Sequence, residues 1–285
     1  SDQLEKVFND NRPQIVFHAA AYKHVPIQEI HPWTSVDTNV KGTLNMVLMA
    51  DKYNVDRFVL VSTDKAVNPI NIMGGTKRVA EKIIQSFNEI SNTKFMAVRF
   101  GNVLGSSGSA IPTFQKQIND GGPVTITHPE MTRYFMSIQE ASQLILQCGA
   151  LGNDGEIFLL EMGKPIKIDQ MARDLIKLSG LEPELDIPIV YIGLRPGEKL
   201  YEELRHIGEN KILTKHKKIM VLKNKNAVIP WGILKISVSN LIMVSKNLDY
   251  DQIQIELKKL LPTYRPRELK PGINQNDPYS FKVEA

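Results

Sequence analysis

The run Arg57-Phe58-Val59-Leu60-Val61, with the polar residues that follow it, constrains this chain more than any other stretch. A short apolar segment rich in β-branched and aromatic side chains, with no polar alternation, predicts a strand buried on both faces and therefore a parallel sheet. Ser62-Thr63-Asp64-Lys65 stand at its end and would deliver hydroxyl, carboxyl and amine at the C-terminal edge of the sheet, where open α/β folds place their chemistry. Eight residues beyond Lys65, Met73-Gly74-Gly75-Thr76-Lys77 opens the next helical stretch.

Around that strand the elements alternate. Gln14-Ile15-Val16-Phe17 reads as a short strand, and helical stretches follow from about Pro26 to Asp51 with an interruption near Pro32. After the Phe58 strand come a helix from Gly74 to Asn88 and a strand over Phe95 to Arg99. Such alternation predicts βαβ units on an α/β, Rossmann-like doubly wound parallel sheet. Beyond Gly101 the pattern changes to glycine-rich loops, short strands at Val124–Ile126 and Ile157–Leu160, and helices near Ile168–Leu178 and Asp251–Leu261. The expected organisation is a cofactor-type domain over residues 1–122, a smaller lobe over 123–270 interleaved with the last sheet strands, and a tail over 271–285.

Composition removes several function classes. With 285 residues, 42% hydrophobic and 23% charged, the chain can bury a sizeable core. The formal charge of +4 comes mainly from Lys215, Lys217, Lys218, Lys223 and Lys225. Because apolar residues interleave with them, they read as a solvated strand face, and no nucleic-acid partner is expected. The single Cys148 excludes a disulfide within the chain, so a reducing, cytoplasmic setting is expected. No run of 18 apolar residues occurs, the longest candidate from Ile229 to Val244 being broken by Lys235, and no metal site is expected.

The motifs carry more. Ser-Thr-Asp-Lys-Ala-Val-Asn-Pro from Ser62, Met-Gly-x-Thr-Lys from Met73, Ala20-Ala21-Tyr22-Lys23-His24-Val25-Pro26 and Arg195-Pro196-Gly197-Glu198-Lys199 together resemble the polysaccharide-biosynthesis nucleotide-sugar 4,6-dehydratases, an extended branch of the short-chain dehydrogenases. The resemblance runs over roughly residues 1 to 264 and implies conversion of UDP-N-acetylglucosamine to a UDP-4-keto-6-deoxy sugar with a retained NAD. It also implies a homo-oligomer. Met73 stands where the wider family has a tyrosine, which resembles the longer, membrane-anchored members. The sequence has no G-x-G-x-x-G and opens on an amphipathic helix, so the first strand, its glycine turn and the ribose-binding acid are missing and the chain reads as a fragment. Taken alone, it is expected to bind UDP-sugars weakly, to retain no NAD and to be inactive.

That reaction explains the residue types. Oxidising C4 of the hexose makes the C5 proton acidic, after which an acceptor for the C4 proton, a base at C5 and an acid at the C6 oxygen are needed. Asp64 and Lys65 lie on an irregular segment closed by Asn68-Pro69, which lets neighbouring side chains converge. The resemblance implies Lys65 as the C5 base and Asp64 as the C6 acid; with Met73 unable to carry a proton, Asp64 or an ordered water is the simplest acceptor of the C4 proton, with Thr63 hydrogen-bonding the C4 oxygen. A second cation at Lys77 is expected to lower the pKa of Lys65. Spacing alone leaves Asp64 and Lys65 open to being a plain surface ion pair, Met73 to being a core residue, and Lys77 to being a solvated lysine.

The remaining site residues rest on the resemblance. His18, Ala19, Ala20 and Asn39 resemble NAD-site positions, and Lys77 would hydrogen-bond the nicotinamide ribose. Lys23, Asn102, Arg133, Arg195 and Glu198 resemble substrate contacts, guanidinium being suited to a diphosphate. Two other readings stay open: a nucleotide-sugar 4-epimerase or reductase, which would need tyrosine at position 73, and a non-catalytic sugar-nucleotide-binding module.

Overall fold

A computed structural model describes residues 2–266 apart from residues 107, 154 and 225–227. The amino-terminal half runs as α1 (Asp2–Asn11), β1 (Ile15–His18), α2 (Val25–Ile30), α3 (Pro32–Ser35) and a π-helical turn (Val36–Lys41) continuing into α4 (Gly42–Lys52). Next come β2 (Arg57–Val61), a single 3-10 turn (Asp64–Ala66), α5 (Ile72–Asn88) and β3 (Lys94–Arg99). The chain continues through β4 (Asn102–Val103), α6 (Ala110–Asn119), β5 (Val124–Ile126), β6 (Thr132–Arg133), β7 (Phe135–Met136) and α7 (Ile138–Leu151). It ends with β8 (Ile157–Leu160), β9 (Ile166–Lys167), α8 (Ile168–Leu178), β10 (Ile189–Tyr191), β11 (Glu209–Leu213), β12 (Ile219–Asn224), α9 (Trp231–Ser245) and α10 (Tyr250–Leu260).

The main sheet has the order β1-β2-β3-β8-β12-β11. Its first four strands are parallel, and β12 runs antiparallel to both its neighbours, β8 and β11. Both faces of the central strands are covered, as their unbroken apolar runs require. On one side Phe58, Leu60, Phe95 and Ala97 pack with Val47 of α4, Val79 and Ile83 of α5, Leu241 of α9 and Leu257 of α10. On the other, Val59, Met96 and Val98 pack under Ala141, Leu144 and Cys148 of α7. A separate core joins Phe114 and Ile118 of α6, Val124 and Ile126 of β5, Ala172 and Ile176 of α8, and Ile189 of β10, which makes the smaller lobe.

Two details differ from the sequence reading. Helix α5 starts at Ile72 rather than Gly74, because Asn71 caps it by accepting a hydrogen bond from the Gly74 N–H at 2.6 Å. Helix α10, expected with the smaller lobe, packs on the main sheet's helical layer, since its apolar stripe Ile253-Leu257-Leu260 covers α9 and α5. The apolar stretch from Ile229 is α9, which buries Leu234, Val238 and Leu241 and exposes Ile233, Ile236 and Met243. No helix among the described residues is long and apolar enough to cross a membrane. Lys215, Lys217, Lys218 and Lys223 are exposed, on β12 and the loop before it, while Lys225 and the 271–285 tail lie outside the described residues.

Candidate active site

Strand β2 ends in a tight turn that gathers the polar residues after it. Its backbone stays in register past the last ladder pair, Ser62 N–H donating to Val98 O at 2.8 Å and Asp64 N–H to Phe100 O at 3.0 Å. Thr63 caps the following turn, its hydroxyl accepting from Lys65 N–H at 3.3 Å and donating to Asp64 Oδ1 at 2.9 Å. The turn folds adjacent side chains together, so Lys65 Nζ donates to Asp64 Oδ1 at 3.0 Å and to Asn102 Oδ1 at 3.1 Å. Asp64 is fully buried and Lys65 largely so, which sets the pair apart from a surface ion pair. Helix α5 is pressed against the turn: a Cβ on Gly74 would lie 2.2 Å from the Lys65 carbonyl oxygen, so only glycine fits there.

The Arg195–Lys199 turn closes over the helix start. Asn71 Nδ2 donates to Gly197 O at 2.8 Å, Gly197 takes φ of +72°, and Lys199 Nζ donates to Val67 O at 2.9 Å. These bonds carry the next residues inward until Glu202 Oε1 stands 4.0 Å from Lys65 Nζ. Two oxygens of this cluster, Asp64 Oδ2 and Glu202 Oε2, are buried without a hydrogen-bond partner among the described residues.

The electrostatics correct one expectation. Burial works to lower the pKa of Lys65, but the Asp64 and Glu202 carboxylates outweigh it and hold the group above its ordinary value. Lys65 is therefore an ammonium at rest, and Lys77 is not the charge that governs it. Burial, which outweighs the Glu81 charge, lowers Lys77 itself to about 8. Burial also raises Glu202, with the Asp64 charge adding to it against the pull of Lys65.

Of the residues assigned to the cofactor, Lys77 lies nearest the chemistry: its Nζ donates to Val61 O at 2.6 Å, at the end of β2, leaving further donors free. His18 is beside it, and burial together with the Lys77 charge lowers it to about 4. Its Nε2 lies 3.1 Å from the Thr43 hydroxyl, whose proton is already given to Asn39 O at 2.7 Å, so His18 is a neutral ring donating from Nε2. Ala19 and Ala20 are exposed at the end of β1 and present open backbone. Asn39 departs from its expected role. It is fully buried, its Oδ1 accepting from Tyr22 N–H at 2.8 Å and its Nδ2 donating to Tyr22 O and Thr76 Oγ1 at 3.1 Å each, so it anchors the Ala20–Lys23 loop to α5 and has no group left for a ligand. Met73 is 3% exposed and offers no proton. An open small-residue backbone beside a lysine with donors to spare fits the nicotinamide-ribose end of a dinucleotide.

The substrate-side residues separate into two kinds. Asn102, Arg133, Arg195 and Glu198 line one cleft of about 200 Å³ at the smaller lobe, together with Ser109 just before α6 and Thr125 to Thr127 at the end of β5. Arg195 is exposed with no ion pair on its guanidinium among the described residues, whereas Glu198 caps the turn by accepting from Arg195 N–H at 3.2 Å. Arg133 departs from expectation: its guanidinium donates to the carbonyls of Thr132, Lys199 and Leu200 at 2.7, 2.7 and 3.1 Å, which ties β6 to the Arg195–Lys199 segment. It shapes the wall more than it faces an anion. Lys23 is exposed on the loop before α2 and is not among the residues lining the cleft.

Sequence reading missed Glu202 and Ser109. Glu202 sits in Leu200-Tyr201-Glu202-Glu203, whose two glutamates differ only in burial. Ser109 precedes a helix and looks like an ordinary cap, yet its Oγ is buried, lines the cleft and has no partner.

The chain is similar to several known proteins. A sequence model of the family described as "Polysaccharide biosynthesis protein" matches residues 1–224. The chain is 58% identical over 208 residues to a capsular polysaccharide biosynthesis protein of Staphylococcus aureus, covering 73% of this chain and only 35% of that relative. The chain thus spans about a third of that relative's length. Among solved structures, Pen from Bacillus thuringiensis is 32% identical, with a TM-score of 0.68 over 80% of this chain and 76% of that one. A double mutant of a dTDP-glucose 4,6-dehydratase of Streptomyces venezuelae, with NAD bound, is 20% identical, with a TM-score of 0.61 over 71% and 67%, and shares the fold.

Proposed function

The chain belongs to the polysaccharide biosynthesis protein family, and on that premise we propose that it is a nucleotide-sugar 4,6-dehydratase that takes UDP-N-acetylglucosamine and uses NAD. The observation that carries the reading is the buried Thr63-Asp64-Lys65 cluster at the end of β2, beside a methionine where an epimerase or reductase would need tyrosine. His18, Ala19, Ala20 and Lys77 would hold the nicotinamide end of NAD, which when bound supplies a hydride acceptor for C4 and returns the hydride to C6. The diphosphate would lie in the cleft against Arg195 and the start of α6, where Ser109 Oγ and the helix N–H groups offer donors.

The chain's own groups then move protons. The C4 hydroxyl donates to Thr63 Oγ1, which already donates to Asp64 Oδ1, so the C4 proton arrives on a carboxylate fully shielded from water. Lys65, once a free amine, takes the C5 proton. Asp64, now protonated, returns its proton through Thr63 to the departing C6 oxygen, which leaves as water. Asp64 thereby fills the place of the absent tyrosine, and each proton has a named donor and acceptor.

Asp64→Asn tests this assignment. The amide keeps the shape but can neither accept the C4 proton nor protect the C6 oxygen's departure, so turnover of UDP-N-acetylglucosamine in the intact protein is expected to fall by about 10²-fold or more. Product mass lower by one water, with solvent deuterium at C5, identifies dehydration. Interconversion at C4 with no exchange at C5 would replace this reading with epimerisation, and near-parental rates in Asp64→Asn would place the acid elsewhere. Arg195→Ala removes the uncommitted guanidinium of the cleft and is expected to weaken UDP binding by about 1.5–3 kcal/mol, read by calorimetry. Unchanged affinity would mean that the turn is structural and the diphosphate lies elsewhere.

A further inference from the structure

One residue of the cluster has no part in the scheme above, which leaves unexplained how Lys65 becomes a free amine. At rest its ammonium is held by Asp64 Oδ1 at 3.0 Å and Asn102 Oδ1 at 3.1 Å. Glu202 Oε1 is 4.0 Å from the same nitrogen, and Oε2 is buried without a partner, as is Asp64 Oδ2. Two buried carboxylates therefore face one ammonium, and each has an oxygen that lacks a donor. Resting on the reading of Lys65 as the C5 base, we propose that Glu202 is a positioning residue that acts through Lys65, taking the ammonium proton once Asp64 is neutralised and returning it when the sugar has been released from the base.

The step balances. When Asp64 takes up the C4 hydroxyl proton, the anion that held the ammonium is gone, and one Nζ–H bond breaks as one O–H bond forms on Glu202. The electron pair stays on Nζ, and ammonium plus carboxylate become amine plus acid, with no change in total charge. Burial favours this direction, since two neutral groups are less costly than two charges out of water. Nζ takes the C5 proton, the resulting ammonium, whose other two protons have exchanged with solvent, returns one of its three protons to C5, and the amine then recovers a proton from Glu202. Closing from 4.0 Å to hydrogen-bonding distance asks about 1 Å of the flexible lysine stem.

The other charges around the cluster are fixed. Arg133 is tied to three carbonyls with Glu198 at 3.8 Å, and Lys199 donates to Val67 O with Glu203 at 3.4 Å. Asp64 and Glu202 are thus the two anions free to respond to Lys65. Burial raises Glu202 toward the protonated form, which suits a carboxyl that must hold a proton near neutral pH.

The test follows the Lys65 side chain directly, by ¹³C–¹⁵N correlation at its Cε and Nζ as pH is raised, with Lys65→Arg to assign the signal. In Glu202→Gln one of the two nearby carboxylates is lost, and the Lys65 midpoint is expected to fall by about one pH unit or more. Glu202→Asp keeps a carboxylate on a shorter stem and should lie between; it also decides the matter if the Gln variant fails to fold. In turnover by the intact protein, Glu202→Gln should lower kcat by about 10²-fold with KM nearly unchanged. An unmoved Lys65 midpoint in the folded variants overturns the role of Glu202. The titration needs neither substrate nor cofactor, so a shifted midpoint in a protein that does not dehydrate UDP-N-acetylglucosamine would remove the dehydratase reading and leave the coupling standing.

Discussion

Lys65→Ala is expected to abolish water elimination while C4 oxidation persists, because the base acts only after the ketone has formed. With the intact protein, UDP-N-acetylglucosamine and solvent deuterium, the variant should reduce bound NAD in a single turnover yet place no deuterium at C5. General-base loss of this kind costs about 10²- to 10⁴-fold, and here no neighbour replaces it: Asp64 is occupied with the C4 proton, Asn102 cannot take one, and Glu202 acts on the sugar only through Lys65. Lys65→Arg should not rescue, since a guanidinium cannot give up its proton in this range. Deuterium entering C5 at the parental rate would remove Lys65 from the base role.

The second large effect lies behind the site. Arg99, fully buried at the end of β3, donates to both Glu81 oxygens at 2.7 Å and to the Glu209 oxygens at 2.8 and 3.1 Å. Burial would raise the Glu81 carboxyl, but Arg99 and Arg78 hold it well below the usual carboxylate range. Arg99→Met leaves two carboxylates buried with their main counter-charge removed, and breaking a buried pair from one side costs about 3–5 kcal/mol. For a domain of this size, that should lower the melting temperature by about 10 °C. Because Glu81 also accepts from Ser62 Oγ at 2.7 Å, the strand end that carries Thr63 to Lys65 should loosen at the same time. Adding Glu81→Gln and Glu209→Gln to Arg99→Met should recover most of the lost stability; if Arg99→Met alone melts like the parent, the network carries no such load.

Much of this was readable in the chain. Phe58-Val59-Leu60-Val61 and Phe95-Met96-Ala97-Val98 are apolar on alternate residues of both parities, and only a two-sided environment accounts for that, so the covered parallel sheet followed from composition along the strand. The meeting of Asp64 with Lys65 was legible because they stand on an irregular segment at a strand's end. The functions of Arg133 and Asn39 were not, because a polar side chain that meets backbone carbonyls and amides has the same letter as one that meets a ligand.

The sequence by itself determined the alternation of strand and helix, the standing of Ser62 to Lys65 at the C-terminal edge of the sheet, and the residue types gathered there, all of which depend on local period and on neighbours in the chain. Only the tertiary structure decided that Lys65 rests as an ammonium and that Glu202 stands 4.0 Å from it. It also decided that α10 belongs to the main sheet's helical layer. These depend on groups far apart in sequence meeting in a medium without water, where the sum of burial and nearby charge, rather than the identity of any one residue, sets what a side chain can do.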